Sequence, residues 1–268
     1  MKNRTSIMKS SILGLLALVV SGSAMADWSW SFNSSYSGNS NGMTFSGSGG
    51  APSVTATAWS NANYASSASS NYGTGNLVQR SLKRYSGGLG VESSDDIGKG
   101  SPEHAMDNEY RIDSILLDFG GTAVTLNQLR IGWYQYDSDF SMAAYTGGGS
   151  TNLSSMEYSD LTSNGWTTVG SYYNNGSGTA SVNSGEVASS YWLISALNPF
   201  LGGTSSSGSY ANDFFKLKSV AGFAAPPPPP STSVPEPSTL LLLGGALLIM
   251  TMRARKAGQG DSGLALQA

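Results

Sequence analysis

Cysteine is absent from the 268-residue chain, and histidine occurs once, as His104. Disulfides, thiolate zinc sites, cysteine nucleophiles, iron–sulfur clusters and histidine-rich metal centres are therefore excluded. Charge is scarce too: Asp, Glu, Lys and Arg make up 12% of the residues, about half the ~25% of an average globular protein. A formal net charge of -3 supplies no basic face, so no nucleic-acid partner is expected. Helical periodicity is nearly missing from the body of the chain. What is abundant is glycine, at 34 residues where ~7% of a chain is usual, together with serine.

The two ends differ from the rest. Lys2, Arg4 and Lys9, an apolar run at 12–20 and the small-residue site Ala24-Met25-Ala26 read as a cleaved signal peptide over 1–26, with Ala24 and Ala26 marking the cut. That run is too short to span a bilayer, which takes ~20 residues. Near the other end, 224–233 is a Pro-rich linker with five prolines at 226–230, a stiff extended spacer. Pro235-Glu236-Pro237 follows, then an uncharged apolar stretch at 239–252, then Arg253, Arg255 and Lys256. An apolar helix closed by basic residues is a membrane anchor whose C-terminal end stays in the cytoplasm. The expectation is one short transmembrane helix at 239–252, with 258–268 as a cytoplasmic tail. Such a helix rises only ~21 Å against a hydrocarbon core of ~30 Å, which suits a transient anchor.

Taken together, Val234-Pro235-Glu236-Pro237-Ser238, the Leu-rich segment with Gly244-Gly245, and Arg253-Ala254-Arg255-Lys256 resemble a PEP-CTERM sorting signal over 234–257. The resemblance implies a Gram-negative bacterial protein held briefly at the inner membrane. There an exosortase, a membrane-embedded transpeptidase-like enzyme, recognises Pro235-Glu236-Pro237. The processed protein then reaches the cell surface or an extracellular matrix rich in polysaccharide.

Between the ends lies the exported domain, 27–223. Counted to residue 233, the exported part holds 8 basic and 15 acidic residues, a net charge near -7. Short β-type runs bounded by Gly, Asn, Ser and Asp recur along it. Alternation is strict at 28–32 and similar at 54–59 and 77–85. Residues 111–134 read as two adjacent strands of a hairpin turning at Gly120-Gly121, and 166–173, 191–196 and 214–220 complete the set. In the last, Phe215, Leu217 and Val220 alternate with Lys216 and Lys218, as in an amphipathic strand. The expected fold is all-β, a β-sandwich of jelly-roll-like type. The Ser/Asn/Gly stretches 34–52 and 62–74 are expected as surface loops, or as a glycan-facing surface whose Tyr side chains stack on sugars.

The least generic stretch is 88–113. Glu92, Asp95, Asp96, Glu103, Asp107, Asn108, Glu109 and Asp113 crowd into it. Oxygen ligands at this density suit Ca²⁺, which takes six to eight oxygens, and Glu92, Asp95, Asp96, Asp107, Asn108 and Asp113 are the candidate ligands. The other reading, and the one to prefer given how often acidic loops bind nothing, is an acidic solvated loop held by Asp and Asn turn hydrogen bonds. Asp137 and Asp139 are similarly placed to add ligands or simply to turn the chain. The Gly88-Leu89-Gly90-Val91 motif, 101–108 with 113–119, Ile131-Gly132-Trp133, 137–141 with Ala144-Tyr145-Thr146-Gly147, 191–196 and 213–218 together resemble an exosortase-dependent surface-protein family. That resemblance implies a surface location and transfers no catalytic residue.

An enzyme is not expected. His104 is the one imidazole available as a base, and no Gly-x-Ser-x-Gly elbow accompanies it. Nothing selects two of Glu92, Glu103 and Glu109 as a glycosidase pair ~5–10 Å apart. The sequence thus points to a structural or adhesive surface protein associated with exopolysaccharide. The alternatives are a calcium-assisted carbohydrate-binding module and, further back, a secreted hydrolase.

Overall fold

The computed structural model describes residues 27–225, apart from 36, 100, 101, 103, 148–150 and 205–211, together with 248 and 249. The chain divides into two units, 1–225 and 226–268. The expected signal peptide, the Pro235-Glu236-Pro237 motif and the basic cluster Arg253, Arg255 and Lys256 lie outside the described residues. Within 239–252 only Leu248 and Ile249 are described, and both are helical. Among the described residues no helix is long and apolar enough to cross a membrane.

The first unit is all-β. Its strands are β1 (Trp28–Ser31), β2 (Ser37–Ser40), β3 (Met43–Phe45), β4 (Val54–Asn61), β5 (Leu77–Tyr85), β6 (Gly88–Glu92) and β7 (Met106–Asp107). They continue with β8 (Asp113–Asp118), β9 (Val124–Tyr136), β10 (Phe140–Tyr145), β11 (Trp166–Tyr172), β12 (Thr179–Ser181), β13 (Tyr191–Ala196) and β14 (Asp213–Ala224). Hydrogen bonding links them in the order β11-β10-β13-β8-β4-β5-β6-β14-β9-β12, with β3 on β4, β2 on β5, and β1 and β7 on β14.

One strand joins the two faces. The first part of β5 pairs with β4, Leu77 opposite Asn61 through Arg80 opposite Ala58. Its second part pairs with β6, Ser81 opposite Glu92 through Tyr85 opposite Gly88. The faces of the expected sandwich are therefore halves of a single 14-stranded sheet that is nearly closed. Its two end strands, β11 and β12, are consecutive in sequence, so the segment 173–178 crosses the remaining gap. Ile131 N–H donates to Gly178 O at 2.9 Å just beyond it.

Side-chain alternation fills the interior. Trp30, Phe32, Leu82, Val91, Ile115, Leu117, Leu129, Ile131, Met142, Trp192, Phe215 and Leu217 all belong to the cluster between the halves. Leu116, Ala143 and Leu193 point the other way into a second cluster, with Leu153, Met156, Tyr158 and Leu161. Those last residues come from short 3₁₀ turns, among them Leu153–Ser155 and Tyr158–Asp160, which cover the outer face of β8, β10 and β13. Both clusters draw every residue from 30–220.

Two local expectations change. β8 and β9 are not a hairpin: β8 pairs with β13 and β4, while β9 pairs with β14 and β12. Gly120 and Gly121, at φ 62 and 86, carry the chain from one half of the sheet to the other. The stretch 34–52 contains β2 and β3 besides its loops. By contrast 62–74 holds no strand, and its Tyr72 is buried, donating to Asn108 O at 2.7 Å.

Trp192 ties the halves directly. It sits on β13 fully buried, and its indole N–H reaches Val124 O on β9 at 3.2 Å and Ser189 O at 3.0 Å. Trp192→Ala is expected to lower the unfolding free energy by about 3–5 kcal/mol, measured by urea unfolding. Trp192→Phe keeps most of the apolar contact but strands two carbonyls, so a smaller loss is expected. Equal, sub-kilocalorie losses in both variants would contradict this account of the interior.

Candidate functional site

The acidic stretch folds back on itself and sorts its carboxylates into two groups. Asp96 in the turn after β6, Asp107 on β7 and Asp113 at the head of β8 converge, one oxygen from each lying within 4.8 Å of the others. All three are buried, at 3%, 7% and 1% exposure. The turn aims Asp96 inward because its Oδ2 accepts from Ser93 N–H at 2.7 Å and Ser93 Oγ–H at 3.0 Å. Asp107 Oδ1 accepts from Glu109 N–H at 3.1 Å. Strand alternation puts Asp113 on the same face as Ile115 and Leu117, at the end of the interior. Among the described residues neither Asp113 oxygen has a hydrogen-bond partner. Burial, reinforced by the negative charges of Asp107, Asp96 and Asp95, pushes the Asp113 carboxyl well above the usual carboxylate range.

The other three candidate ligands are engaged elsewhere. Glu92 Oε2 pairs with Lys83 Nζ at 2.9 Å, and its Oε1 lies 3.2 Å from His104 Nε2. Asp95 Oδ1 takes the Arg111 Nε–H at 2.7 Å and the Ser93 hydroxyl at 2.7 Å. Asn108 donates its amide to Asp213 Oδ2 at 2.6 Å and to Leu197 O at 3.1 Å, and accepts from Asp213 N–H at 3.0 Å. Each is held by a complementary partner of its own. Glu103 lies outside the described residues.

A second acidic trio, Asp137, Asp139 and Asp213, likewise brings one oxygen from each within 4.8 Å of the others. Its oxygens are satisfied from within the fold. Asp213 accepts from Asp139 N–H at 2.8 Å as well as from Asn108, Asp139 from Asn174 N–H at 2.6 Å, and Asp137 from Ser138 N–H at 2.7 Å. Asp213 was legible in the sequence only as the start of a strand.

Beside the acids lies a pocket of about 430 Å³ lined by Tyr85, Ser86, Gly87, His104, Gly132, Trp133 and Lys216. That volume falls in the range of small-molecule sites. Glycine builds it. Gly88 holds a φ of +121 at the start of β6, and a Cβ at Gly90 would collide with the His104 carbonyl oxygen, so the His104 segment can lie tight on β6. Lys216 is cross-strand to Trp133, and its Nζ stands 3.9 Å from the Trp133 ring centroid and 5.0 Å from that of Tyr85. The amphipathic reading of β14 is right about direction and wrong about exposure: Lys216 points away from Phe215 and Leu217 but is 8% exposed, covered by the two rings. Burial lowers its pKa to about 8. Tyr85 Oη and His104 Nδ1 are 2.9 Å apart, and burial lowers the His104 pKa below its ordinary value, despite the nearby Glu92. The Tyr-rich stretch is used differently: Tyr64 stacks on Tyr110 at 4.5 Å, with Arg111 5.6 Å over it.

Asp213 generates a pH dependence. Burial raises its pKa from 3.8 to about 8, so between those values the folded state binds the extra proton. Its contribution is then present in full below about pH 4 and is lost as pH rises toward 8. Thermal melts should fall across that window, and Asp213→Asn should flatten the fall; an unchanged slope in the variant would sink the assignment.

Comparison with known proteins touches a different part of the chain. No curated protein matches it. Residues 233–256 match the family model described as the PEP-CTERM protein-sorting motif, one residue offset from the span read in the sequence. That motif goes with secretion, membrane-anchored sorting and a surface or extracellular fate. By this match the chain carries a PEP-CTERM protein-sorting motif at its C-terminal end.

Proposed function

We propose that this is an exported bacterial surface protein, sorted by an exosortase at Pro235-Glu236-Pro237, whose β domain holds acidic extracellular polysaccharide in the Trp133–Lys216 pocket. The role is adhesive and structural, without turnover. The observation that carries the binding half is Lys216, a nearly buried amine stacked on two aromatic rings and opening into a sugar-sized pocket.

The chemistry supports a saccharide. Aromatic faces take the apolar face of a sugar ring, and the Tyr85 hydroxyl and His104 are poised for its hydroxyls. A partly desolvated ammonium favours a carboxylate on that sugar, since charge-assisted hydrogen bonds are about twice as strong as neutral ones. The exported part is acidic overall, so the pocket is a local cationic spot that selects one carboxylate-bearing residue rather than attracting a polyanion at long range. Among the described residues no carboxylate lines the pocket. Glycoside hydrolysis requires two flanking carboxyl groups, so binding fits this lining better than turnover.

Two outcomes are expected. Full-length protein purified in detergent should be retained by an immobilised uronic-acid oligosaccharide more than by its neutral counterpart. Trp133→Ala should weaken retention of both by about tenfold or more, the effect of removing a central aromatic anchor. Lys216→Met should erase the preference for the acidic sugar; wild-type preference in that variant would overturn the pocket assignment. Separately, replacing Pro235, Glu236 and Pro237 with alanine should leave the protein in the membrane fraction of cells that release the wild type. Equal release of both would end the sorting half of the proposal while leaving the pocket untouched.

A further inference from the structure

We propose that Asp96, Asp107 and Asp113 form a Ca²⁺ site that ties the turn after β6 to β7 and β8. Three segments of separate origin deliver carboxylate oxygens to one point, each within 4.8 Å of the others. Convergence of acids alone would not demand an ion. The second observation is the Asp113 side chain: it is 1% exposed and aimed into the cluster, yet among the described residues neither oxygen meets a hydrogen-bond donor. A buried polar group without a partner is expensive, and a buried charge much more so.

The neighbouring trio is the internal control. Asp137, Asp139 and Asp213 converge equally closely, but backbone N–H groups and the Asn108 amide reach their oxygens. The fold therefore supplies donors to carboxylates at this end of the sheet where it uses them structurally. Among the described residues it supplies none to Asp113. The nearby guanidiniums are turned to other acceptors, Arg80 Nε to Ser60 Oγ at 2.6 Å and Arg111 Nε to Asp95 Oδ1 at 2.7 Å.

Donor chemistry sets the ion. The chain has no thiolate, and its one imidazole stands outside the acidic trio, beside Tyr85 in the neighbouring pocket, which leaves hard oxygen ligands. Three carboxylates offer up to about six oxygens, with carbonyls or water to complete the six to eight that Ca²⁺ takes. Mg²⁺ demands a near-ideal octahedron and sheds its waters reluctantly, a poor match to a buried site of side chains from three segments. The ion would also join the halves of the sheet, because β7 pairs with β14 and β8 with β4 and β13.

The test is calorimetric titration of CaCl₂ into EDTA-treated full-length protein in detergent, with thermal melts at each loading. The expected result is saturable binding of about one ion, with a dissociation constant on the order of 10⁻⁴–10⁻³ M as in extracellular calcium modules, a melting temperature that rises with loading, and weaker binding of MgCl₂. Asp113→Asn, which keeps the side chain's shape, should weaken binding at least about tenfold, since affinity follows ligand charge; Asp107→Asn provides the same reading should the first variant fail to fold. Asp139→Asn, in the control trio, should bind as wild type does. Absence of saturable Ca²⁺ binding by the wild type, or wild-type affinity in Asp113→Asn and Asp107→Asn, would overturn the site and leave shared protons as the answer to the Asp113 charge. Loss of binding in Asp139→Asn alone would overturn it in favour of the other trio.

Discussion

The architecture depends on one strand having partners in both halves of the sheet. β5 is nine residues long, enough to finish its pairing with β4 before beginning its pairing with β6. Because the strand is continuous, the halves of the sheet cannot separate without breaking backbone hydrogen bonds. They are held facing each other at a spacing that large side chains such as Trp30, Trp192 and Phe215 fill. A chain with few charges and almost no helix can bury a core only by folding a sheet onto itself, and β5 is where it folds.

Much of this was legible. β1, β4, β5, β8, β11, β13 and β14 sit where alternating apolar runs placed them, because one face of each contacts the interior and the other is less covered or meets a different layer. β10 was not, since its small residues Ser141, Ala143 and Ala144 leave no run of large apolar side chains to read. β6 hides behind its glycines, which serve close approach rather than pattern. The hairpin at Gly120-Gly121 failed for a topological reason: local sequence marks a reversal of direction and says nothing of which strand the chain meets next. β8 and β9 instead contribute to opposite halves.

The site was legible in density but not in partners. Sequence singled out the acids of 92–113; only packing shows that Lys83 and His104 take Glu92, Arg111 takes Asp95, and Asp213, more than a hundred positions away, takes Asn108. Lys216 was invisible for the opposite reason. A lysine between apolar residues on a strand reads as solvent-facing, and nothing local announces that Trp133 on the paired strand and Tyr85 at the end of β5 close over it. Gly87 and Gly132 in the lining were the available signal, small residues next to aromatics where the backbone leaves room.

The seam between β11 and β12 has a further consequence. Unpaired strand edges are templates for aggregation. Here the segment that joins the two end strands keeps them facing each other rather than neighbouring molecules. A single peptide-bond cleavage within 173–178 would remove that tether and present two edges at once. In this fold the integrity of one surface loop guards the colloidal behaviour of the whole domain.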